Sequence, residues 1–155
     1  KNPKCFDCKI QEYCFSYATN MQSIIPIKTL KSKLKPKQYT RSYVCINEKS
    51  EILVRQRPSK GMLASMLEVP NDMWRTKKSL LKKDDVIKKI KQRFVKKGLI
   101  KYSFSHFDLY SDIYFTRIKK NNFAKSKWLR VSLYNKSQLP TVMKKIVKQA
   151  LVNTE

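Results

Sequence analysis

Three cysteines lie close together near the start of the chain. Cys5, Cys8 and Cys14 follow the pattern C-x2-C-x5-C, whereas Cys45 stands apart among apolar residues. Thiolates are soft ligands for zinc and for iron–sulfur clusters, and close spacing lets one loop wrap around such a group. The residues alone leave three readings open: an incomplete zinc site, the remainder of a cluster site, or a chance grouping. Cys45 is interpreted as a small core residue.

The single histidine, His106, follows Phe104 and Ser105 in the stretch FSHFDL. No serine or acid at an interpretable spacing forms a catalytic triad with it, and no second histidine offers a metal site. A lone histidine is more often a structural residue than a catalyst. Taken by themselves, these residues therefore favour a structural role for His106.

Net charge narrows the class of partner. Lysine and arginine number 35 against 11 acids, giving a net charge of +24 and a pI of about 10.1. Such an excess favours a polyanionic partner, above all nucleic acid, with a membrane surface or an acidic protein as the alternatives. A coding bias would explain lysine over arginine, but it explains the scarcity of acids less well. With no membrane-spanning run and no signal-peptide pattern, we expect a soluble cytoplasmic protein.

The chemistry-bearing residues must be positioned by a domain of mixed strands and helices. With 155 residues, the chain is long enough for one ordinary domain and a small appendage. Proline and lysine dominate residues 21–38, which contain no acid and are interpreted as a linker. The remaining pattern predicts an α/β (α+β) domain with mostly antiparallel strands and two helices. The predicted elements are a hairpin over 39–57, a compact segment over 62–70, a helix from Asp84 to Gly98, strands over 99–104, 107–118 and 127–134, and a helix after Pro140.

Three stretches resemble, in the same order, the adenine DNA glycosylases called MutY, which remove adenine mispaired with 8-oxoguanine. CFDCKIQEYC resembles the end of their iron–sulfur motif, RQRPSKGMLASMLEVP the opening of their C-terminal Nudix-like domain, and FSHFDL their 8-oxoguanine recognition loop. The middle stretch departs from the usual GLLAGLWEFP, since Ser65 replaces the second glycine and Leu67 the tryptophan. The resemblance implies a C-terminal fragment of such a base excision repair enzyme, with the adenine-removing domain upstream of it.

That resemblance implies three parts: an iron–sulfur loop remnant over 1–20, a basic interdomain linker over 21–38, and a Nudix-like recognition domain over 39–155. Cys5, Cys8 and Cys14 would be three of the four ligands of a 4Fe–4S cluster, and the first ligand would precede Lys1. We therefore expect the cluster in the full-length enzyme and incomplete or absent binding by this fragment alone.

The resemblance also assigns recognition roles. Phe104 is expected to pack and fix the loop, Ser105 to read the base, and His106 to position or probe it. Unlike guanine, 8-oxoguanine carries a donor at N7, and a serine hydroxyl can accept from it. The expected partner is double-stranded DNA holding 8-oxoguanine:adenine or G:A mispairs, bound by a monomer in a bacterial nucleoid. Six lysines are predicted to contact DNA phosphate, and the alternative is that they only form a solvated tail and tether: Lys1, Lys4, Lys31, Lys33, Lys35 and Lys37.

Hydrolysis by a Nudix enzyme is the catalytic rival for this fold, and the sequence argues against it. Such enzymes need several carboxylates on one helix to hold divalent metal beside a diphosphate. Their box, G-x5-E-x7-R-E-U-x-E-E-x-G-U, is missing, because Gly61 and Glu68 are followed by a stretch in which bases outnumber acids. No catalytic residue is therefore assigned. Two alternatives remain: a basic nucleic-acid-binding module without lesion specificity, and a zinc- or cluster-bearing structural domain.

Overall fold

The structure is a computed structural model that describes residues 3–25, 35–119, 122–123 and 125–152. Two compact units divide the chain, Lys1–Leu34 and Lys35–Glu155. The described part of the first unit contains 3-10 turns at Cys5–Asp7 and Gln11–Tyr13, followed by helix α1 over Phe15–Ala18. None of these elements has a buried residue. Nowhere in the described ranges does a helix have the length and apolar character needed to cross a membrane.

A six-stranded mixed sheet forms the centre of the second unit. Five strands follow the order β3-β2-β1-β5-β4, and β6 pairs with β2. Only the β1–β5 pairing is parallel among the pairings of the described strands. The prediction of an α+β domain with a mixed, mostly antiparallel sheet is therefore confirmed. The strands are β1 Lys37–Ile46, β2 Glu51–Gln56, β3 Leu67–Glu68, β4 Val95–Ser103, β5 Asp108–Arg117 and β6 Ser126–Arg130.

The C-terminal helix α3, Thr141–Leu151, covers one face of the sheet. Pro140 occupies its N-cap, as the helix predicted after this proline requires. Residues spaced three or four apart along α3 bury one stripe. That stripe packs against alternate residues of β1 and β5, and the prediction of an amphipathic last helix is confirmed. The buried stripe comprises Val142, Met143, Ile146, Val147 and Ala150.

The hairpin between β1 and β2 is also confirmed. Asn47 closes it, because its side-chain oxygen accepts from the backbone N–H groups of Lys49 and Glu51 at 2.9 Å. Cys45 is fully buried in β1, and burial raises the pKa of its thiol to about 12. Cys45 is therefore the small core residue that the sequence predicted.

The helix predicted from Asp84 to Gly98 is wrong beyond its first turn. Helix α2 covers only Asp85–Lys88, capped by the Asp84 side chain, and the chain becomes strand β4 from Val95. Gly98 lies within that strand at a register shift, with φ of +132°. The tertiary pairing with β5 decides the outcome here, because residues from Val95 onward pair with β5 along the edge that β1 leaves free.

Two strand boundaries also differ from the prediction. Strand β1 begins at Lys37, inside the range read as linker, because its first residue already pairs in register with Asp108. Strand β6 ends at Arg130, whereas the prediction continued to Tyr134. The remaining residues form the 3-10 helix Val131–Lys136, which carries the chain towards α3.

Ser65, which stands where the resembled family has glycine, adopts a left-handed backbone with φ of 58°. Since this region penalises a Cβ, Ser65→Gly is expected to raise the free energy of unfolding by about 0.5–1 kcal/mol. Urea denaturation measures this free energy of unfolding. Ala64→Gly is the matched control, because Ala64 has no such backbone, and it should lower stability by about 0.5–1 kcal/mol. An equal loss of stability in both variants would contradict the assignment of backbone strain to Ser65.

Candidate nucleic-acid interface

A tight turn joins β4 to β5, and it carries the three residues predicted to recognise the base. The Phe104 N–H donates to the Phe107 carbonyl oxygen at 2.9 Å, and Ser103 and Asp108 form the last register pair below it. Ser105 and His106 are thus held at the tip, and both are exposed. A hydroxyl and an imidazole are presented to solvent on a short, hydrogen-bonded turn.

Phe104 points inward from the same turn. Its ring centroid lies 4.9 Å from those of Tyr102 and Phe107, and 5.8 Å from that of Trp74. The guanidinium of Arg57 lies 4.8 Å above the Trp74 ring, on the far side of this aromatic group. The packing fixes the base of the turn, and the role of all three turn residues in recognition stays a prediction.

The predicted phosphate-binding lysines fall into three groups. Lys35 Nζ donates to the Phe104 carbonyl oxygen at 2.8 Å, and the exposed Lys37 pairs in register with Asp108, so both lie beside the turn. Lys4 is exposed in the first unit. The other three predicted contacts lie outside the described residues: Lys1, Lys31 and Lys33.

Asp108 lies at the base of the turn, and the charge of a neighbouring lysine compensates its negative charge. Asp108 accepts from Ser103 Oγ at 2.5 Å and from Lys101 Nζ at 2.9 Å. The hydrogen bond from Ser103, followed by that from Lys101, holds the pKa of the Asp108 carboxyl below its usual range. Asp108 is therefore an anion at neutral pH, but its lysine neighbour limits repulsion of an approaching phosphate.

Carboxylates near β2 and β3 are bound by arginines. We call Arg55, Arg57, Glu68 and Asp84 the arginine–carboxylate cluster. Glu68 receives Arg55 Nε at 2.9 Å and also bonds Arg57, while Arg55 donates to Asp84 at 2.6 Å. Burial lowers the pKa of Arg55, but Glu68 and Asp84 outweigh it, and the pKa is raised overall. These carboxylates neutralise guanidinium groups.

A groove of about 1030 Å³ opens beside the arginine–carboxylate cluster. Its charged lining is mostly basic, whereas a diphosphate-hydrolysing site needs several carboxylates for metal. Within residues 3–25, 35–119, 122–123 and 125–152, no group of three His, Cys, Asp or Glu side chains is arranged to hold a metal ion. The side chains lining the groove are therefore suited to holding an anion. The basic residues of the lining are Arg55, Arg57, Lys89, Lys125 and Lys127.

The three clustered cysteines have the thiol donors that an iron–sulfur cluster needs. In the described part of the chain, these thiols do not form a group around one point. Cys5 and Cys14 are half-buried, Cys8 is exposed, and all three are free thiols. They lie on successive short turns that do not bring three thiols to one point in the described part of the chain. The 4Fe–4S cluster expected in the full-length enzyme stays a prediction.

Two sets of aromatic contacts in this region were not predicted from the sequence. Trp74 packs on Phe104 and Phe107. Tyr39 and Tyr110 stack across β1 and β5. Tyr39, Arg41 and Tyr43 alternate along β1, which places their side chains on one face. That alternation was the available signal for a second, aromatic face of the sheet.

The fold defines the class of protein as an α+β domain with a mixed sheet, flanked on one face by a C-terminal helix. Residues 42–149 match the family model described as NUDIX domain. This match covers more than half of the chain, and the chain belongs to the NUDIX family.

Solved structures agree on the fold. The C-terminal domain of mouse MUTYH, in complex with human PCNA, is 17% identical with a TM-score of 0.58, and the alignment covers 72% of this chain and 86% of that one. The MutT protein of Methanosarcina mazei Go1 is 14% identical with a TM-score of 0.61, covering 80% and 100%. NrtR of Shewanella oneidensis, complexed with a 27mer DNA, is 10% identical with a TM-score of 0.55, covering 72% and 59%.

Proposed function

We propose that this chain is the C-terminal recognition part of an adenine DNA glycosylase, which detects 8-oxoguanine opposite adenine and clamps the DNA. The observation that carries the proposal is the exposed turn that presents Ser105 and His106 while Phe104 anchors it. A rigid turn loses little conformational freedom on binding, so its two polar groups can select one base edge. Adenine removal belongs to a domain outside this chain, and the chain acts as a monomer.

Charge supports nucleic acid as the ligand. The net charge of +24 supplies affinity for the phosphate backbone without sequence information. Lys35 and Lys37 lie close enough to the turn to hold backbone phosphates while Ser105 reads a base. Likeness to the MUTYH C-terminal domain and to DNA-bound NrtR points the same way.

The rival function, metal-dependent hydrolysis of a nucleoside diphosphate derivative, has less support. Of the two acids that line the groove, Glu68 is bound by Arg55 and Arg57, and Asp85 pairs with Lys88. Releasing Glu68 to bind a metal would leave two guanidinium groups without this buried partner, which is costly. We therefore propose that the NUDIX fold serves binding in this chain.

The iron–sulfur cluster is proposed only for the longer enzyme. Cys5, Cys8 and Cys14 would supply three thiolates, and a fourth ligand outside this chain would complete the set. When bound, such a cluster would order its own loop. The recognition step assigned to Ser105 does not pass through it.

Removing the two tip side chains is the direct test. In Ser105→Ala/His106→Ala, we expect the preference of the chain for an 8-oxoguanine:adenine duplex over a G:A duplex to fall about three- to tenfold. The reason is that one or two base-edge hydrogen bonds contribute about 0.5–1.5 kcal/mol each. Fluorescence anisotropy titrations of both duplexes at one salt concentration measure the ratio.

Ser132→Ala is the matched control, because Ser132 is an exposed serine in the 3-10 helix before α3. It should leave the ratio of the two affinities unchanged. An unaltered ratio in the double variant would contradict the recognition role of the turn. If the unmodified chain binds both duplexes equally, it is a basic nucleic-acid-binding module without lesion specificity.

A further inference from the structure

The face of the sheet opposite α3 carries a partly exposed pair of aromatic rings. Tyr39 and Tyr110 are partners in the parallel β1–β5 register, with ring centroids 5.6 Å apart and planes inclined by 29°. Both side chains are half-exposed. Farther along the same face, Tyr43 and Tyr114 repeat the pairing, but Phe94 lies against Tyr43, which is buried. Of these four rings, only that of Tyr43 is buried, and both rings of the pair nearer the turn are partly exposed.

A lysine lies over each ring of this pair. Lys78 Nζ lies 5.7 Å from the Tyr39 ring centroid, and Lys101 Nζ lies 5.7 Å from that of Tyr110. Their side chains are 57% and 53% exposed, so their charges remain accessible to a ligand. Lys37 lies on the same face at the start of β1. We call Lys37, Tyr39, Lys78, Lys101 and Tyr110 the tyrosine platform.

Two acids adjoin the tyrosine platform, and both are already paired. Asp108 binds Lys101 at 2.9 Å, and Asp112 binds Lys96 at 2.8 Å and Lys78 at 3.5 Å. Four lysines, counting Lys96 and Lys37, thus face two carboxylates, and the surface keeps a positive excess. Its charge is complementary to a phosphodiester backbone.

We infer that the tyrosine platform binds single-stranded DNA, with bases that take the place of the Lys78 and Lys101 side chains over Tyr39 and Tyr110. The displaced lysines and Lys37 then lie beside the phosphates. Aromatic side chains flanked by lysines on an open sheet bind single strands, because every base offers a ring face. A duplex keeps its base faces stacked internally and offers only edges and phosphates. The exposed rings therefore favour the single strand over the duplex.

The position of the tyrosine platform gives this activity a place beside the proposed recognition turn. Lys37 and Asp108 are in register directly below that turn, and Tyr39 and Tyr110 follow two residues along each strand. A strand leaving the turn can therefore cross the rings without crossing α3. This binding does not depend on Ser105, His106 or an oxidised base, and it goes beyond lesion recognition.

Binding of a fluorescein-labelled oligothymidylate of about 10 nucleotides tests the inference. Tyr39→Leu/Tyr110→Leu should weaken binding of the oligonucleotide by the full chain about tenfold or more, because the ring faces are lost. Tyr39→Phe/Tyr110→Phe retains those faces and should stay within about twofold. Equal thermal midpoints of the two double variants show that the comparison reports stacking, not unfolding.

If the leucine variant is less stable, Lys78→Glu/Lys101→Glu provides the second measurement, and it should also weaken oligothymidylate binding at least tenfold. Lys148→Ala is the charge control, because Lys148 is exposed on α3, on the other side of the sheet. Unchanged single-strand affinity in both platform variants would overturn the inference. An equal loss towards a duplex of the same length would also overturn it, in favour of a duplex-binding face. Neither result bears on lesion preference, which the turn variants measure.

Discussion

Glu68→Ala is expected to lower the free energy of unfolding by about 3 kcal/mol, or up to about 5 kcal/mol. The Glu68 side chain is 3% exposed, and its carboxylate accepts hydrogen bonds from Arg55, Arg57 and Asn71. Removing the carboxylate leaves two guanidinium groups without this partner, each mostly shielded from water. Arg55 keeps its 2.6 Å bond to Asp84, which places the expected loss towards the lower value. Urea denaturation followed by circular dichroism measures the change.

Glu68→Gln refines this experiment. The amide has nearly the same shape and keeps one acceptor oxygen, so its loss of stability should be smaller than that of alanine. Glu48→Ala is the control, because Glu48 is exposed in the turn between β1 and β2 and should change stability by less than about 0.5 kcal/mol. A Glu68→Ala chain as stable as the Glu48→Ala chain would show that the arginine–carboxylate cluster contributes no net stability.

Salt is expected to weaken DNA binding by a large factor. If the chain contacts six to ten phosphates, its affinity for an undamaged duplex should fall about 10³- to 10⁵-fold between 50 and 200 mM salt. The cause is release of condensed counterions by the lysines of a chain with a net charge of +24. Anisotropy titrations over a salt series give the slope of log affinity against log salt.

Two lysine pairs separate local contacts from general charge. Lys35→Ala/Lys37→Ala removes the lysines beside the recognition turn and should reduce the magnitude of the slope by about 2. Lys91→Ala/Lys148→Ala removes the same charge from exposed positions elsewhere and should leave the slope nearly unchanged. Equal slopes for the two pairs would contradict a specific contact by Lys35 and Lys37. An affinity independent of salt would exclude phosphate as the main ligand.

Periodicity predicted the parts of the fold whose burial is regular. Val142, Ile146 and Ala150 recur along one face of α3, and the β1–β2 hairpin is closed by Asn47. The strand over residues 95–98 was missed for a physical reason. Ile87 and Ile90 have helical spacing, yet they fill a core beneath a single helical turn. The residues from Val95 onward form a strand because they pair with the free edge of β5. Local sequence does not reveal that edge.

The place of the candidate site was more predictable than its contacts. The sequence predicted Ser105 and His106 between two strands, and the structure has them at that turn. The bond from Lys35 to the Phe104 carbonyl spans 69 positions, and Tyr39 meets Tyr110 through a parallel register. Such contacts arise only when distant strands pair, so no local pattern predicts them. Trp74 belongs to the same group of contacts.

The parallel pairing of β1 with β5 also constrains the order in which the chain can fold. The two strands match over ten residues, and the buried Ser42 and Ser111 hydroxyls that bond across them lie 69 positions apart. During synthesis, β1 therefore emerges long before its neighbour and must wait with one edge unpaired. A chain released before Asp108 would lack the strand that completes its sheet. The central pairing of this domain can thus form in full only after residues through Arg117 have been synthesised.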